Sequence, residues 1–157
     1  MEYDKLPGMT RSIEYGRPFK RFRPTDYLYG LYDMEDKRYD GTFLTVWYCN
    51  NESNAPDGVE LGDTAIWMPR TPLSQAEKDS RPFGINIYNP DEYTSRVYAM
   101  TKKWIQPNRP TVNERAGDRD YPVWRLAEVY LMAAEANALK ASPDQNKALN
   151  ILLFAIL

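Results

Sequence analysis

Asp120-Tyr121-Pro122-Val123-Trp124-Arg125-Leu126-Ala127-Glu128-Val129-Tyr130-Leu131-Met132-Ala133-Ala134-Glu135-Ala136 is the stretch on which the reading of this chain turns. From Val123 to Lys140 there is no Gly or Pro, and the composition is dominated by Ala, Leu, Met and Glu, all strong helix formers. Pro122 suits the first helical position, where its missing N–H is not needed. Apolar residues fall on one side at Leu126, Val129, Tyr130 and Ala133, and on another at Ala127, Leu131, Ala134 and Ala138. The polar stripe is narrow: Arg125, Glu128 and Glu135, with Met132 between them. A helix apolar on most of its circumference is expected to be packed on several sides. The small side chains of Ala127, Ala133, Ala134 and Ala136 let neighbouring helices come close.

A second helix follows at once. Ser142-Pro143-Asp144-Gln145 supplies an N-cap, a proline at N1 and a glutamine at N3. Two helices joined by so short a loop form an antiparallel hairpin of the size used in tetratricopeptide arrays. One such hairpin cannot bury its apolar faces alone; it needs stacked neighbours. The remaining sequence offers few long helices, so the neighbours are expected to lie in missing sequence. The chain also ends Ile151-Leu152-Leu153-Phe154-Ala155-Ile156-Leu157, with neither a cap nor a polar face, which reads as a truncation. The expected organisation is a single partial domain. Residues 1–120 form a loop-rich region with short helices and strands, and residues 121–157 a truncated helical hairpin. The fold class is mainly α, with short strands and long loops.

Before residue 120 the signals are short. Thr25 can cap a helix bearing Tyr27, Leu28, Leu31 and Tyr32 on one face. Asp33 to Arg38 is a polar turn. Thr42 to Cys49 is rich in β-branched and aromatic residues and reads as a strand, followed by a loop over Asn50 to Gly58. Ser74-Gln75-Ala76-Glu77 is a capping box that starts a helix at Gln75. Ile85 to Tyr88 and Val97 to Lys103 are candidate strands, and Pro107 to Asp120 is loop. Residues 1–23 read as extended, with Pro7-Gly8 and Gly16-Arg17-Pro18 as breakers. The basic run Arg17, Lys20, Arg21, Arg23 is read as a solvated loop rather than a polyanion site.

Composition excludes several kinds of chemistry. Hydrophobic residues make 43% and charged residues 27%, as in ordinary globular domains. A net charge of −2 favours neither nucleic acid nor an anionic membrane surface. There is no histidine and one cysteine, Cys49, so Ser-His-Asp and Cys-His catalysis, internal disulfides and His- or Cys-rich metal sites are all ruled out. No cofactor is expected. The longest apolar run is seven residues, Ile151 to Leu157, against the roughly 20 that a spanning helix needs. Met1-Glu2-Tyr3-Asp4 is not a signal peptide. Either the protein is cytoplasmic or the segment that would address it is missing. Aromatics stand out at 13%, with 12 Tyr, 4 Trp and 5 Phe, and flat rings suit both cores and sugar faces.

The 17 residues from Asp120 to Ala136 closely resemble the signature of the SusD/RagB family, where a short D-x-P lead runs into R-L-A-E-V-Y-L-x-x-A-E-A. Lys103-Trp104 with Pro107-Asn108-Arg109 is similar to the lysine-containing strand and loop that precede it in the family. Asp36-Lys37-Arg38-Tyr39 resembles the D-x-R-[FY] turn after the Pro-Thr-capped helix. The order holds from about residue 18 to residue 150. The resemblance implies an α-helical, tetratricopeptide-like fold and a lipid-tethered parent on the outer face of a Gram-negative outer membrane. There the parent caps a SusC-like TonB-dependent transporter and captures glycan or oligosaccharide for import. It implies no enzyme activity. Family members are longer, carry an acylated N-terminal cysteine and place most of their helical repeats ahead of this region, so residues 1–157 are expected to be a fragment of such a parent.

Site candidates follow from chemistry. Sugar C–H faces stack on aromatic rings while amides and carboxylates fix hydroxyls, which selects Trp67, Trp47 and Tyr48, with Asn50, Asn51 and Asp63 near in sequence. Trp67 sits in a Gly- and Pro-flanked loop and is preferred; Trp47 is more simply a core residue of its strand, and Trp104 and Trp124, which sit in the motifs quoted above, also read as core. Arg125, Glu128 and Glu135 share a helix face. They read as a buried ion-pair network rather than a glycosidase acid/base pair, which needs two carboxylates facing an open cleft. Asp36, Asp40 and Gly41 match three positions of an EF-hand loop, but Arg38 and Trp47 occupy positions where acidic ligands are required, so Asp36 and Arg38 are read as fixing a turn. Asn51-Glu52-Ser53 is a glycosylation sequon with no meaning outside a eukaryotic secretory route. The alternative function is a structural helical-repeat module that docks a protein partner without binding glycan.

Overall fold

The computed structural model describes residues 1–20, 22–117, 120, 123 and 125–156, apart from the side chains of Trp104, Ala155 and Ile156. The chain divides into two compact units, Met1–Gly117 and Asp118–Leu157. Together they make a small mixed fold of helices and a few short strands, with the long helices confined to the second unit.

In the first unit, α1 (Asp26–Gly30) is capped by Thr25, whose hydroxyl accepts from the Leu28 N–H, and α2 is Arg38–Thr42. The expected strand over Thr42 to Cys49 is split into β1 (Phe43–Leu44) and β2 (Val46–Tyr48). The split follows from pairing with two different partners. β1 pairs antiparallel with β4 (Met100–Thr101), and β2 pairs antiparallel with β3 (Thr64–Trp67), with a register shift between Trp47 and Tyr48. α3 (Gln75–Asp79) begins at the Ser74 capping box, with both reciprocal bonds to Glu77 made. The expected strand over Ile85 to Tyr88 is mostly a turn of 3-10 helix at Gly84–Asn86, leaving a single parallel bridge from Ile87 to Trp67. The expected strand over Val97 to Lys103 shortens to β4, because the chain turns into 3-10 helix at Lys102–Trp104.

The core of this unit sits where the N-terminal segment lies against the two sheets. Tyr3 and Tyr15 meet edge to face at 5.7 Å, and Tyr15 lies 6.5 Å from Trp47, centroid to centroid. The Tyr15 hydroxyl accepts from the Tyr48 N–H, and the Tyr3 hydroxyl donates to the Gly16 carbonyl, so the buried phenols are satisfied by backbone. Phe43, Ile66, Met68, Tyr98 and Ala99 are among the other buried members of this core. Gly8 has φ +81°, and a Cβ there would stand 3.2 Å from the Ala65 Cβ. The positive φ and the close approach favour glycine where the N-terminal segment crosses β3.

The second unit is a hairpin of α4 (Leu126–Leu139) and α5 (Gln145–Ile156). Helix α4 starts later than the expected Val123, because Arg125 is extended (φ −112°, ψ 149°) and its carbonyl opens the helical ladder by accepting from the N–H groups of Glu128 and Val129. The expected proline at N1, Pro122, lies outside the described residues, as does Trp124. Helix α5 is capped by Asp144, whose carboxylate accepts from the Lys147 N–H at 3.0 Å. Ser142 was the expected cap; Asp144 lies closer to the helix and caps at least as well. Ala134 of α4 and Ala148 of α5 are the buried positions, as small residues at a helix–helix contact should be. Leu126, Val129, Leu131, Met132 and Leu139 of α4 are all exposed, so the described residues do not supply the neighbours that its apolar circumference is expected to need.

Candidate functional site

The residues singled out from sequence separate into distinct environments. Trp47 is fully buried between the N-terminal tyrosines and β3, so it offers no ring face to a ligand. Trp67 is the last residue of β3 rather than part of a loop, and pairs with Val46; Tyr48 pairs with Thr64. Trp47 and Ile66 point inward and, because the register shift leaves Ala65 unpaired and also buried, the residues left toward the outer side are Val46, Tyr48, Thr64 and Trp67. Tyr48 is half exposed there. Trp67 carries the Arg81 guanidinium 5.4 Å from its ring centre, and Arg81 is anchored on the Glu77 carbonyl.

The polar residues named with them are committed to contacts within the protein. The Asn50 amide accepts from the Thr10 N–H at 2.7 Å and donates to the Thr10 carbonyl at 3.1 Å, clamping the N-terminal segment. Asn51 accepts from the Ser53 hydroxyl, and the Asp63 carboxylate accepts from the Glu60 N–H. These three shape turns around the β2–β3 connection.

Asp36 and Arg38 form a bidentate pair that closes the turn before α2, with contacts of 2.9, 3.1 and 2.6 Å. Hydrogen bonds from Arg38, first from its side chain and then from its backbone, hold the Asp36 carboxyl down at about 2. Arg125, Glu128 and Glu135 are all exposed, and among the described residues no ion pair joins them. A buried network on α4 is therefore not what the hairpin contains.

One concave site went unrecognised in the sequence. A cavity of about 300 Å³ is lined by Asp26, Tyr29, Gly30, Tyr32, Met34, Tyr39, Arg70, Pro90 and Tyr93. Its tyrosines pack edge to face: Tyr29 on Tyr93 at 5.5 Å and Tyr32 on Tyr39 at 5.8 Å. Arg70 stacks 4.2 Å over Tyr39 and donates to the carbonyls of Tyr32, Asp33 and Met34, fixing the α1–α2 connection as one wall. The Tyr29 hydroxyl donates to the Ala99 carbonyl. The Tyr93 hydroxyl is buried without a hydrogen-bond partner among the described residues. Burial pushes both phenols well above the usual tyrosine range, so they stay protonated donors. Asp26 is the one carboxylate lining the cavity among the described residues, and it is paired with Arg23. Aromatic walls and a few polar groups suit the binding of a ring-shaped polar ligand; the paired carboxylates of glycoside hydrolysis are not assembled here.

Among the described residues no group of three His, Cys, Asp or Glu side chains could hold a metal, and no helix is long and apolar enough to cross a membrane. No curated protein and no solved structure matches the chain. The model of the SusD family matches residues 14–152, which takes in the tyrosine-lined cavity and most of the helical hairpin. With nine-tenths of its length matched in that way, the chain belongs to the SusD family.

Proposed function

We propose that this chain binds glycan or oligosaccharide nutrient through the tyrosine-lined cavity of its first unit, and serves uptake through a SusC-like TonB-dependent transporter at the outer membrane. The family is in general one of glycan-binding nutrient-uptake proteins associated with the outer membrane, and not of enzymes. The observation that carries the reading is the concavity itself, where rings of Tyr29, Tyr32 and Tyr93 converge with Arg70 and Asp26 at the edge. Stacking on such rings holds a pyranose by its C–H face, while the rim groups meet its hydroxyls. Tyr48 and Trp67, on the outer side of the β2–β3 pair, are proposed as a second aromatic platform for a longer ligand, with Asn50, Asn51 and Asp63 holding the turns beneath it and Trp47 as its buried support.

The test is affinity electrophoresis of the full chain through gels carrying different polysaccharides. Tyr32→Leu keeps apolar volume but removes a stacking ring, and should weaken retention by about tenfold. Trp67→Ala should weaken it less. Unchanged retention in Tyr32→Leu, with the fold intact by circular dichroism, would sink the cavity as the site.

A second reading rests on the exposed apolar residues of α4 and α5. We propose that the hairpin is a tetratricopeptide-like packing unit that receives further helices or a protein partner, as solenoid repeats do. Exposure of Leu126, Leu139, Leu149 and Phe154 supports it. Binding to a transporter in the absence of any glycan would favour this role over sugar capture.

A further inference from the structure

A second cavity, of about 260 Å³, is lined by Gly16, Arg17, Gln106, Arg109, Arg115 and Gly117. Three of those six residues are arginines, and among the described residues no carboxylate lines it. Glu114 lies next to it in the chain, but its carboxylate is engaged by the N–H groups of Arg115 at 2.8 Å and Ala116 at 3.1 Å, which bends the loop. Arg109 is the central observation. It is 9% exposed, its Nη1 donates to the Glu114 carbonyl at 3.3 Å, and its Nη2 is buried with no hydrogen-bond partner among the described residues. A guanidinium does not lose its proton in proteins, so this is a buried permanent cation with an unmet donor. Leaving such a group unpaired costs stability. Arg17 is held flat against the Phe19 ring at 4.3 Å, which orients a second guanidinium. Gly117 keeps the space open, since a Cβ there would fall 2.2 Å from the Gln106 amide oxygen.

A planar fork of N–H donors matches oxyanions, which accept two bonds from one guanidinium. We infer that this cavity binds the anionic substituent, carboxylate or sulfate, of an acidic oligosaccharide, with Arg109 as the buried anchor and Arg115 as the exposed gate-side contact. The inference rests on the glycan reading above and narrows its ligand to charged sugars. It also predicts a marked salt dependence, because part of the attraction is between solvent-facing charges.

The experiment follows the arginine Nε–H signals of the ¹⁵N-labelled full chain by NMR. Three probes are titrated separately: inorganic sulfate, an oligogalacturonate, and a neutral oligosaccharide retained in the affinity gels. The expected result is a saturable shift at Arg109 and Arg115 with sulfate and with oligogalacturonate, the latter binding at least tenfold more tightly. Arg115→Gln, at an exposed position, should weaken oligogalacturonate at least tenfold and leave the neutral sugar unchanged. Arg109→Lys keeps the charge but loses the fork, and should weaken it as well. No saturable shift at Arg109 with either anion overturns the inference, and continued binding of the neutral sugar would then leave the glycan reading standing. A response to sulfate with none to oligogalacturonate overturns it too, since the anion would not be sugar-borne.

Discussion

The guanidinium of Arg70 lies 4.2 Å from the ring centre of Tyr39 and at the same time donates to the carbonyls of Tyr32, Asp33 and Met34. One side chain thus ties three successive carbonyls of one turn together, of which that of Asp33 also accepts from the Asp36 N–H, and packs over one face of a core tyrosine. Lysine cannot do both, because it lacks the planar fork and stacks poorly. Arg70→Lys should therefore cost about 1–3 kcal/mol, from lost charge-assisted hydrogen bonds and stacking. Urea denaturation checks it. Stability equal to the parent would mean that the turn holds itself.

Tyr93→Phe tests the opposite case. The hydroxyl it removes has no hydrogen-bond partner among the described residues, and the ring keeps its contact with Tyr29. Deleting an unsatisfied buried donor should be neutral or stabilising by up to about 1 kcal/mol. A clear loss in the thermal midpoint would show that the hydroxyl is hydrogen-bonded after all.

Asp36 provides a pH signature. Its folded carboxyl is held at about 2 against an ordinary 3.8, chiefly by hydrogen bonds from Arg38. A depressed folded value means that the pair contributes its stability above the unfolded value. That contribution fades as pH falls from about 4 toward about 2. The carboxyl ¹³C resonance of Asp36 should titrate near 2, and in Arg38→Gln it should return toward 3.8. An unchanged midpoint in that variant would assign the shift to some other group.

Local signals were legible because they act over three or four residues. Thr25 and Ser74 cap the helices they precede, and the alanine-rich run forms the longest helix. The position of the α5 cap was misjudged by two residues, because Ser142 and Asp144 both satisfy the local rule and only the backbone path chooses between them. Long-range features were not legible. The tyrosine cavity gathers side chains from residues 26–39, 70 and 90–93, and nothing in the spacing of those residues says that they meet. Their only trace was the excess of tyrosine. Trp47 and Trp67 look alike in sequence, yet strand register sends one into the core and the other outward. The arginine cavity was missed for a related reason: Arg17 was read within a basic run, while its companions Arg109 and Arg115 come from a loop some ninety residues away.

Lys78 and Glu92 form the most consequential ion pair in the first unit. The lysine is almost wholly buried, at 5% side-chain exposure, and its ammonium meets a carboxylate that is 42% exposed. The same Glu92 oxygen accepts from the Asn89 N–H at 2.6 Å, closing the turn at Pro90–Glu92. Glu92→Gln keeps an oxygen for the turn but removes the counter-charge, stranding a buried ammonium. The expected loss is about 2 kcal/mol, below the 3–5 typical of fully buried pairs because Glu92 is partly solvated. Lys78→Met exchanges the buried charge for an apolar chain of similar length. It should cost less than Glu92→Gln, and the double variant should recover part of the loss. The hydrogen bond from Lys78 holds the Glu92 carboxyl below its ordinary value, so the pair's contribution is complete at neutral pH and declines below about 4.5. Denaturant midpoints of the four proteins at pH 7 and pH 3.5 decide the matter. Additive losses, or a Glu92→Gln deficit that persists undiminished at the lower pH, would show that charge compensation is not what holds these two segments together.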